Sequence, residues 1–244
     1  MKQRIVICLV ILTNNICLSG AMAQSENNYK GQLSAKERSI IKIASFTAIG
    51  DLKGLKPALN EGLTSGLTIN EIKEVLVHLY AYCGFPRSIR GLQTFMEVLD
   101  ERKAKGISDV AGAEASPVKT GGTKYERGKA TLGALTGVQQ PDKLSGYSAF
   151  APVIDTFLKE HLFSDIFERD VLNYAQRELV TISVISSIGY ADPMLQSHLS
   201  ISLNTGISPE KLREFITVIK ESAGSEKADA AQKILDKVLA NRRN

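Results

Sequence analysis

Tryptophan is absent from the 244 residues, proline occurs seven times and cysteine three times. Scarce proline leaves room for long unbroken helices, and no valine-rich alternating run argues for strands. Charge of neither sign dominates. Thirty Lys and Arg oppose 26 Asp and Glu, for a formal +4. No basic stripe breaks the balance, so the electrostatic footprint of a nucleic-acid binder is missing. Hydrophobic residues make up 43%. That ordinary figure excludes wholesale disorder, a collagen-like fibre and a polytopic membrane protein.

The first 23 residues have the pattern of an export signal. Lys2 and Arg4 precede the apolar run Ile5 to Leu12, and Ala21-Met22-Ala23 fits a small-x-small cleavage site. The run is too short for a ~30 Å hydrocarbon core, and Asn14-Asn15 interrupts it; a retained anchor is the other reading. Cys17 follows Ile16 rather than a small residue, which argues against lipid attachment. The expectation is a periplasmic or secreted protein with no membrane association after cleavage. Cleavage after Ala23 removes Cys8 and Cys17 and leaves Cys83, so the mature chain could close no internal disulfide.

What is present has helical period. Ile72, Val75, Leu76, Leu79, Tyr80 and Cys83 fall on one face of a helix over 72–83. Ile89, Leu92, Met96 and Leu99 give a second stripe, and Phe150, Val153, Ile154, Phe157 and Leu158 a third. Leu212, Phe215, Ile216 and Ile219 give a fourth. Ser34…Glu37 and Thr68…Glu71 read as capping boxes. Asp192-Pro193 and Ser208-Pro209 read as a cap residue before a first-turn proline. The apolar segment 179–188 suits burial on more than one side, within a central core or between subunits.

The punctuation repeats. Gly66 and Gly206 are 140 positions apart, as are Gly84 and Gly224, and Gly50 and Gly189 are 139 apart. We read an all-α protein of two tandem copies, 33–103 and 147–242. Between them 104–146 is a Gly-, Ala-, Ser-, Thr- and Lys-rich connection, partly mobile, with a short helix over Leu132–Leu135.

Particular strings then carry a resemblance. In the first copy they are Gly66-Leu67-Thr68-Ile69-Asn70-Glu71-Ile72 and Ala81-Tyr82-Cys83-Gly84-Phe85-Pro86. In the second they are Phe163 to Arg169, Arg177-Glu178-Leu179-Val180-Thr181-Ile182-Ser183, and His198 eight residues before Gly206. In order and spacing the chain resembles the carboxymuconolactone decarboxylase family in a two-copy form, related to the alkylhydroperoxidase D-like fold. The resemblance implies an all-helical protein built on a helical hairpin, working without a cofactor. It also implies a homo-oligomer, with a trimer favoured for a two-copy chain.

It implies two chemistries as well. The thiol peroxidase branch needs a Cys-x-x-Cys at the start of the hairpin's second helix, where the helix N-terminus activates the thiol. Here Tyr190-Ala191-Asp192-Pro193-Met194 and Asp51-Leu52-Lys53-Gly54 occupy those stretches, without cysteine. Cys83, on an apolar stripe, reads as a buried inert thiol. A reactive one remains the alternative, since Gly84-Phe85-Pro86 breaks the helix beside it and Arg87 is near in sequence.

The other branch decarboxylates a small carboxylated lactone. It must stabilise an oxyanion and return a proton to carbon. Arg177, Glu178 and His198 supply the residue types at the family's positions, with Glu178 and His198 as catalytic candidates. Arg177 would bind carboxylate or hold Glu178, and Tyr82 and Arg87 would join a shared substrate pocket. Glu178 lies about 16 Å before the hairpin turn and His198 about 8 Å past Pro193, so antiparallel packing lets them approach within one or two turns, the alternative being partners from a neighbouring chain. The first copy has Ser39 and Ala58 instead and reads as a degenerate half. His161 is expected in the core and His78 in solvent. Asp165, Glu168 and Arg169 line a pocket or mark a charged helix end. Three scattered histidines offer no metal-ligand spacing. The alternatives to a lyase are a single-cysteine peroxiredoxin-like antioxidant and a non-catalytic oligomer that binds small acids.

Overall fold

The computed structural model describes residues 31–117 and 121–242. The expected signal segment 1–23 lies outside them. Every regular element among the described residues is helical, and no helix there is long and apolar enough to cross a membrane.

The first copy comprises α1 (Ala35–Ile49), α2 (Leu52–Thr64), α3 (Ile69–His78) and α4 (Tyr80–Ala104). Ser34 and Thr68 close the capping boxes read from sequence, satisfying free amides at both helix starts. The helix expected over 72–83 divides at Leu79, and α4 is itself interrupted at Gly84, with φ 83° and ψ 160°. The second stripe sits rotated from its expected face. Ile89 and Met96 are exposed, while Ser88, Gly91, Phe95 and Val98 face inward, because α4 restarts its phase after the break.

The second copy repeats the plan with α8 (Tyr174–Ile188), α9 (Asp192–Asn204), α10 (Pro209–Ala223) and α11 (Ser225–Asn241). Gly224 mirrors Gly84, with φ 91° and ψ 166°. The helix α9 begins at Asp192 itself with Ala191 as its cap, so Asp192 does not cap it as expected. The offset moves from 139 to 140 at the turn Gly189-Tyr190-Ala191. The extra residue brings Tyr190 into a left-handed conformation at φ 59°. Helices α1 and α8 pack together at the centre, each also against the other copy's third helix. Ser45 and Ser187 share a 2.7 Å hydrogen bond across that seam. Residues 177–187 are all buried, so this single chain surrounds α8.

The described residues between the copies hold more helix than their composition suggests. Thr123 caps α5 (Lys124–Thr136), well beyond the short helix expected there. Two short helices, α6 (Gly146–Phe150) and α7 (Pro152–Phe157), lead into a π-helical stretch, Leu158–Ile166. That stretch packs on α5 with a small core of Leu135, Leu162, Phe163, Ile166, Phe167 and Ile201. Gly128 makes the approach feasible, since a Cβ there would lie 1.8 Å from the Lys159 carbonyl oxygen.

The third stripe is overturned. Phe150 is 92% exposed, and Val153, Ile154 and Phe157 also face out. The cause is polar. Asp155 turns inward to pair with Lys159 at 2.7 Å and to accept from the Tyr125 hydroxyl at 2.7 Å. This buried triad fixes the rotation of the segment and leaves its apolar face outside. The same rotation exposes His161, expected in the core, beside Asp165 at 3.2 Å.

Candidate active site

The helix α8 starts under a capping box of Asn173 and Gln176, each side chain meeting the other's backbone amide at 2.9 Å. That start sets the phase of Arg177 and Glu178. The tight turn at Gly189 sends α9 back along α8, and His198 arrives beside Glu178. His198 Nδ1 lies 2.9 Å from Glu178 Oε2. Glu178 is fully buried, and the His198 side chain is 13% exposed. With Nδ1 committed to the carboxylate, Nε2 is the nitrogen left for a substrate, the orientation a buried carboxylate imposes on imidazole.

Tyr82 joins from the first copy. Its ring meets His198 edge-on, centroids 5.9 Å apart, and His78 at 5.5 Å. Its hydroxyl is buried without a hydrogen-bond partner, as is Glu178 Oε1. Burial, with the Glu178 charge adding to it, raises the phenol far above its ordinary range and keeps it protonated.

Behind the pair lies a buried polar network. Arg177 Nη2 donates to Glu74 Oε1 at 2.8 Å and also to the Arg169 carbonyl, and Nη1 meets His78 Nδ1 at 3.1 Å. Arg169 Nε donates to both oxygens of Glu74, at 2.9 and 3.0 Å. His78 Nε2 lies 2.9 Å from Thr181 Oγ1. Burial, reinforced by the adjacent Arg177 and His198, holds the His78 imidazole well below its usual range and keeps it neutral. Burial also lowers Arg177, with Glu74 opposing.

Two expectations are corrected here. Arg177 neither contacts Glu178 nor faces outward to bind a carboxylate, because Glu74, His78 and a backbone carbonyl take its guanidinium. Arg87 is exposed and lies flat on Gly50, and no contact among the described residues brings it to the Glu178–His198 pair. Lys227, at the matching place in the second copy, lies over Gly189 in the same way. These two basic residues cover the hairpin turns.

His78 is also corrected, since it is fully buried rather than solvated. Asp165, Glu168 and Arg169 are absorbed by Lys124, Arg127 and Glu74, so they mark a charged helix end. Sequence reasoning missed Glu74, His78 and Thr181. The repeat held a signal for Glu74, because Glu214 lies 140 positions on, just as Arg38 and Arg177 lie 139 apart.

Cys83 follows Tyr82, and its thiol donates to the Leu79 carbonyl at 3.2 Å. Burial pushes it up to about 11, with Arg87 opposing only in part. Such a thiol is poorly activated. Among the described residues no group of His, Cys, Asp and Glu could hold a metal ion.

The spatial plan agrees with comparisons to known proteins. Over 71 residues the chain is 28% identical to an uncharacterized protein of Methanocaldococcus jannaschii, a match covering 29% of this chain and 66% of that protein. Over 117 residues it is 25% identical to a 4-carboxymuconolactone decarboxylase of Acinetobacter baylyi, covering 48% of this chain and 87% of that enzyme. The model of the carboxymuconolactone decarboxylase family matches twice, at residues 19–95 and 152–237, once in each copy. Two matches over most of the sequence, on two helical units of the same element order, show that this chain belongs to the carboxymuconolactone decarboxylase family.

Proposed function

We propose that this protein is a cofactor-free acid–base enzyme that decarboxylates a small carboxylated lactone of the 4-carboxymuconolactone type. One observation carries the reading, the 2.9 Å contact of His198 Nδ1 with the buried carboxylate of Glu178. Loss of CO2 from such a lactone leaves an electron pair delocalised onto the ring carbonyl, and the site must then protonate carbon. Glu178 orients His198 and balances the charge of its imidazolium, while Nε2 presents the proton. The Acinetobacter relative's name supplies the substrate class. Family membership alone does not fix a reaction, so the geometry of the pair is the stronger support.

The chemistry runs through one composite site. The positions matching Glu178 and His198 in the first copy are Ser39 and Ala58. That copy supplies Tyr82 against His198 instead, and Glu74 and His78 to the Arg177 network behind the pair. A peroxidase reading would need Cys83 as a thiolate, which its environment opposes.

The test is CO2 release from 4-carboxymuconolactone. His198→Ala should lower kcat by about 10²–10⁴-fold, and Glu178→Gln should lower it by a smaller factor. Unchanged turnover in both variants would end the assignment. Saturable binding of the lactone without turnover by the unaltered protein would favour a binding protein.

A further inference from the structure

Four buried side-chain atoms among the described residues lack a hydrogen-bond partner, and three belong to this locus, namely Tyr82 Oη, Arg177 Nε and Glu178 Oε1. Buried polar groups are normally satisfied, and Tyr82 Oη and Glu178 Oε1, on the two residues that contact His198, keep hydrogen-bonding capacity that a polar ligand can take up. Tyr82 is the neutral donor among them. It has no twin, because the matching position in the second copy is Ser222, which bonds to its own Val218 carbonyl at 2.8 Å.

The groups behind Tyr82 have a fixed direction. A guanidinium can only donate. His78 Nδ1, 3.1 Å from Arg177 Nη1, must therefore accept. The proton of neutral His78 is then on Nε2, which donates to Thr181 Oγ1 at 2.9 Å. Thr181 keeps its own hydroxyl proton to place, and the Tyr82 phenol lies near it with no hydrogen bond between them. The two donors point the same way, from the Arg177 cation through His78 to Thr181. Aligned donors polarise one another in a low-dielectric interior.

We propose that Tyr82 is a catalytic residue whose hydroxyl donates a hydrogen bond to the lactone oxyanion formed as CO2 leaves, and that His78 and Thr181 are positioning residues that aim it. This rests on the decarboxylase reading. The bond between ring carbon and carboxylate breaks, and CO2 departs. The electron pair enters the ring as an enolate with its charge on the lactone oxygen. His198, as imidazolium, returns a proton to ring carbon and is recharged from solvent. The phenol keeps its proton throughout, and its hydrogen bond strengthens as charge builds on the oxygen it faces.

Two measurements on the full chain test this. In turnover of 4-carboxymuconolactone, Tyr82→Phe should lower kcat by about 10²–10³-fold with KM little changed. Thr181→Val should lower kcat by roughly tenfold through the misaimed phenol, again with KM little changed. The second measurement is calorimetric binding of tetronate, a cyclic lactone enolate, which the unaltered protein should bind about tenfold or more tightly than Tyr82→Phe. Full kcat in Tyr82→Phe, with His198→Ala inactive, would overturn this proposal and leave the decarboxylase reading standing. If the unaltered protein does not turn the lactone over, that reading fails and the catalytic role of Tyr82 is overturned with it, and tetronate then decides only whether Tyr82 donates to a lactone enolate. Weaker binding in Tyr82→Phe would support the donor role, whereas equal affinity, or no binding by either protein, would overturn it.

Discussion

Arg177 and Glu74 meet at 2.8 Å in the interior, each from a different copy. Arg38 and Glu214 repeat the pair at the matching positions, where side-chain exposures of 36% and 19% leave it near solvent. The first helix of each copy thus reaches the third helix of the other, so each copy completes the other. The two pairs have the same residues and different surroundings, which makes them a controlled comparison. Glu74→Gln leaves two guanidinium groups facing a neutral amide and should destabilise the fold by about 3–5 kcal/mol. Glu214→Gln should cost about 1 kcal/mol or less. Urea unfolding of both variants against the unaltered protein checks the ranking.

The buried, neutral His78 should make stability depend on pH. Its folded pKa lies well below the ordinary imidazole value, while the unfolded chain takes up a proton near pH ~6.5. Below that pH the unfolded state binds more protons, so stability falls as pH drops toward the folded value. The slope should approach about 1.4 kcal/mol per pH unit. Denaturant midpoints between pH 7.5 and 5.5 should show this slope in the unaltered protein and a shallower one in His78→Gln.

Cys83 should behave as an unreactive thiol. With its pKa pushed up to about 11, the thiolate is on the order of one part in a thousand at pH 8. Alkylation by iodoacetamide should be slow at pH 8 and accelerate toward pH 11. Any peroxide consumption should be the same in Cys83→Ser as in the unaltered protein.

Gly84 holds Tyr82 at its distance from the rest of α4. Its φ of 83° and ψ of 160° belong to a region open essentially to glycine alone. The nearest atom to an added Cβ is Pro86 Cδ at 3.6 Å, so the cost of alanine is backbone strain rather than collision. Gly84→Ala should destabilise the protein by about 1–3 kcal/mol, read from thermal or denaturant unfolding.

Much of this was legible in the sequence where one force acted alone. The stripe Leu212, Phe215, Ile216 and Ile219 is buried as its period requires, and the capping boxes at Ser34 and Thr68 formed as spelled. Helical rise allowed Glu178 and His198 to meet, and the resemblance nominated them. Readings failed where a polar network outweighed apolar period. Asp155 and Lys159 turned Phe150, Val153, Ile154 and Phe157 outward and His161 with them, leaving Leu158 against the small core. Arg177 and Thr181, from the other copy, made a buried site for His78 that no local pattern announces. Arg177 was misassigned for the same reason, since its partner Glu74 is 103 positions away.

The relation between Glu178 and His198 is most directly tested by the ¹⁵N side-chain resonances of His198, recorded above neutral pH in the unaltered protein and in Glu178→Gln. The geometry predicts a protonated Nδ1 and an unprotonated Nε2 in the unaltered protein, with that preference weakened in Glu178→Gln. A proton resident on Nε2, or resonances indifferent to the substitution, would contradict the account.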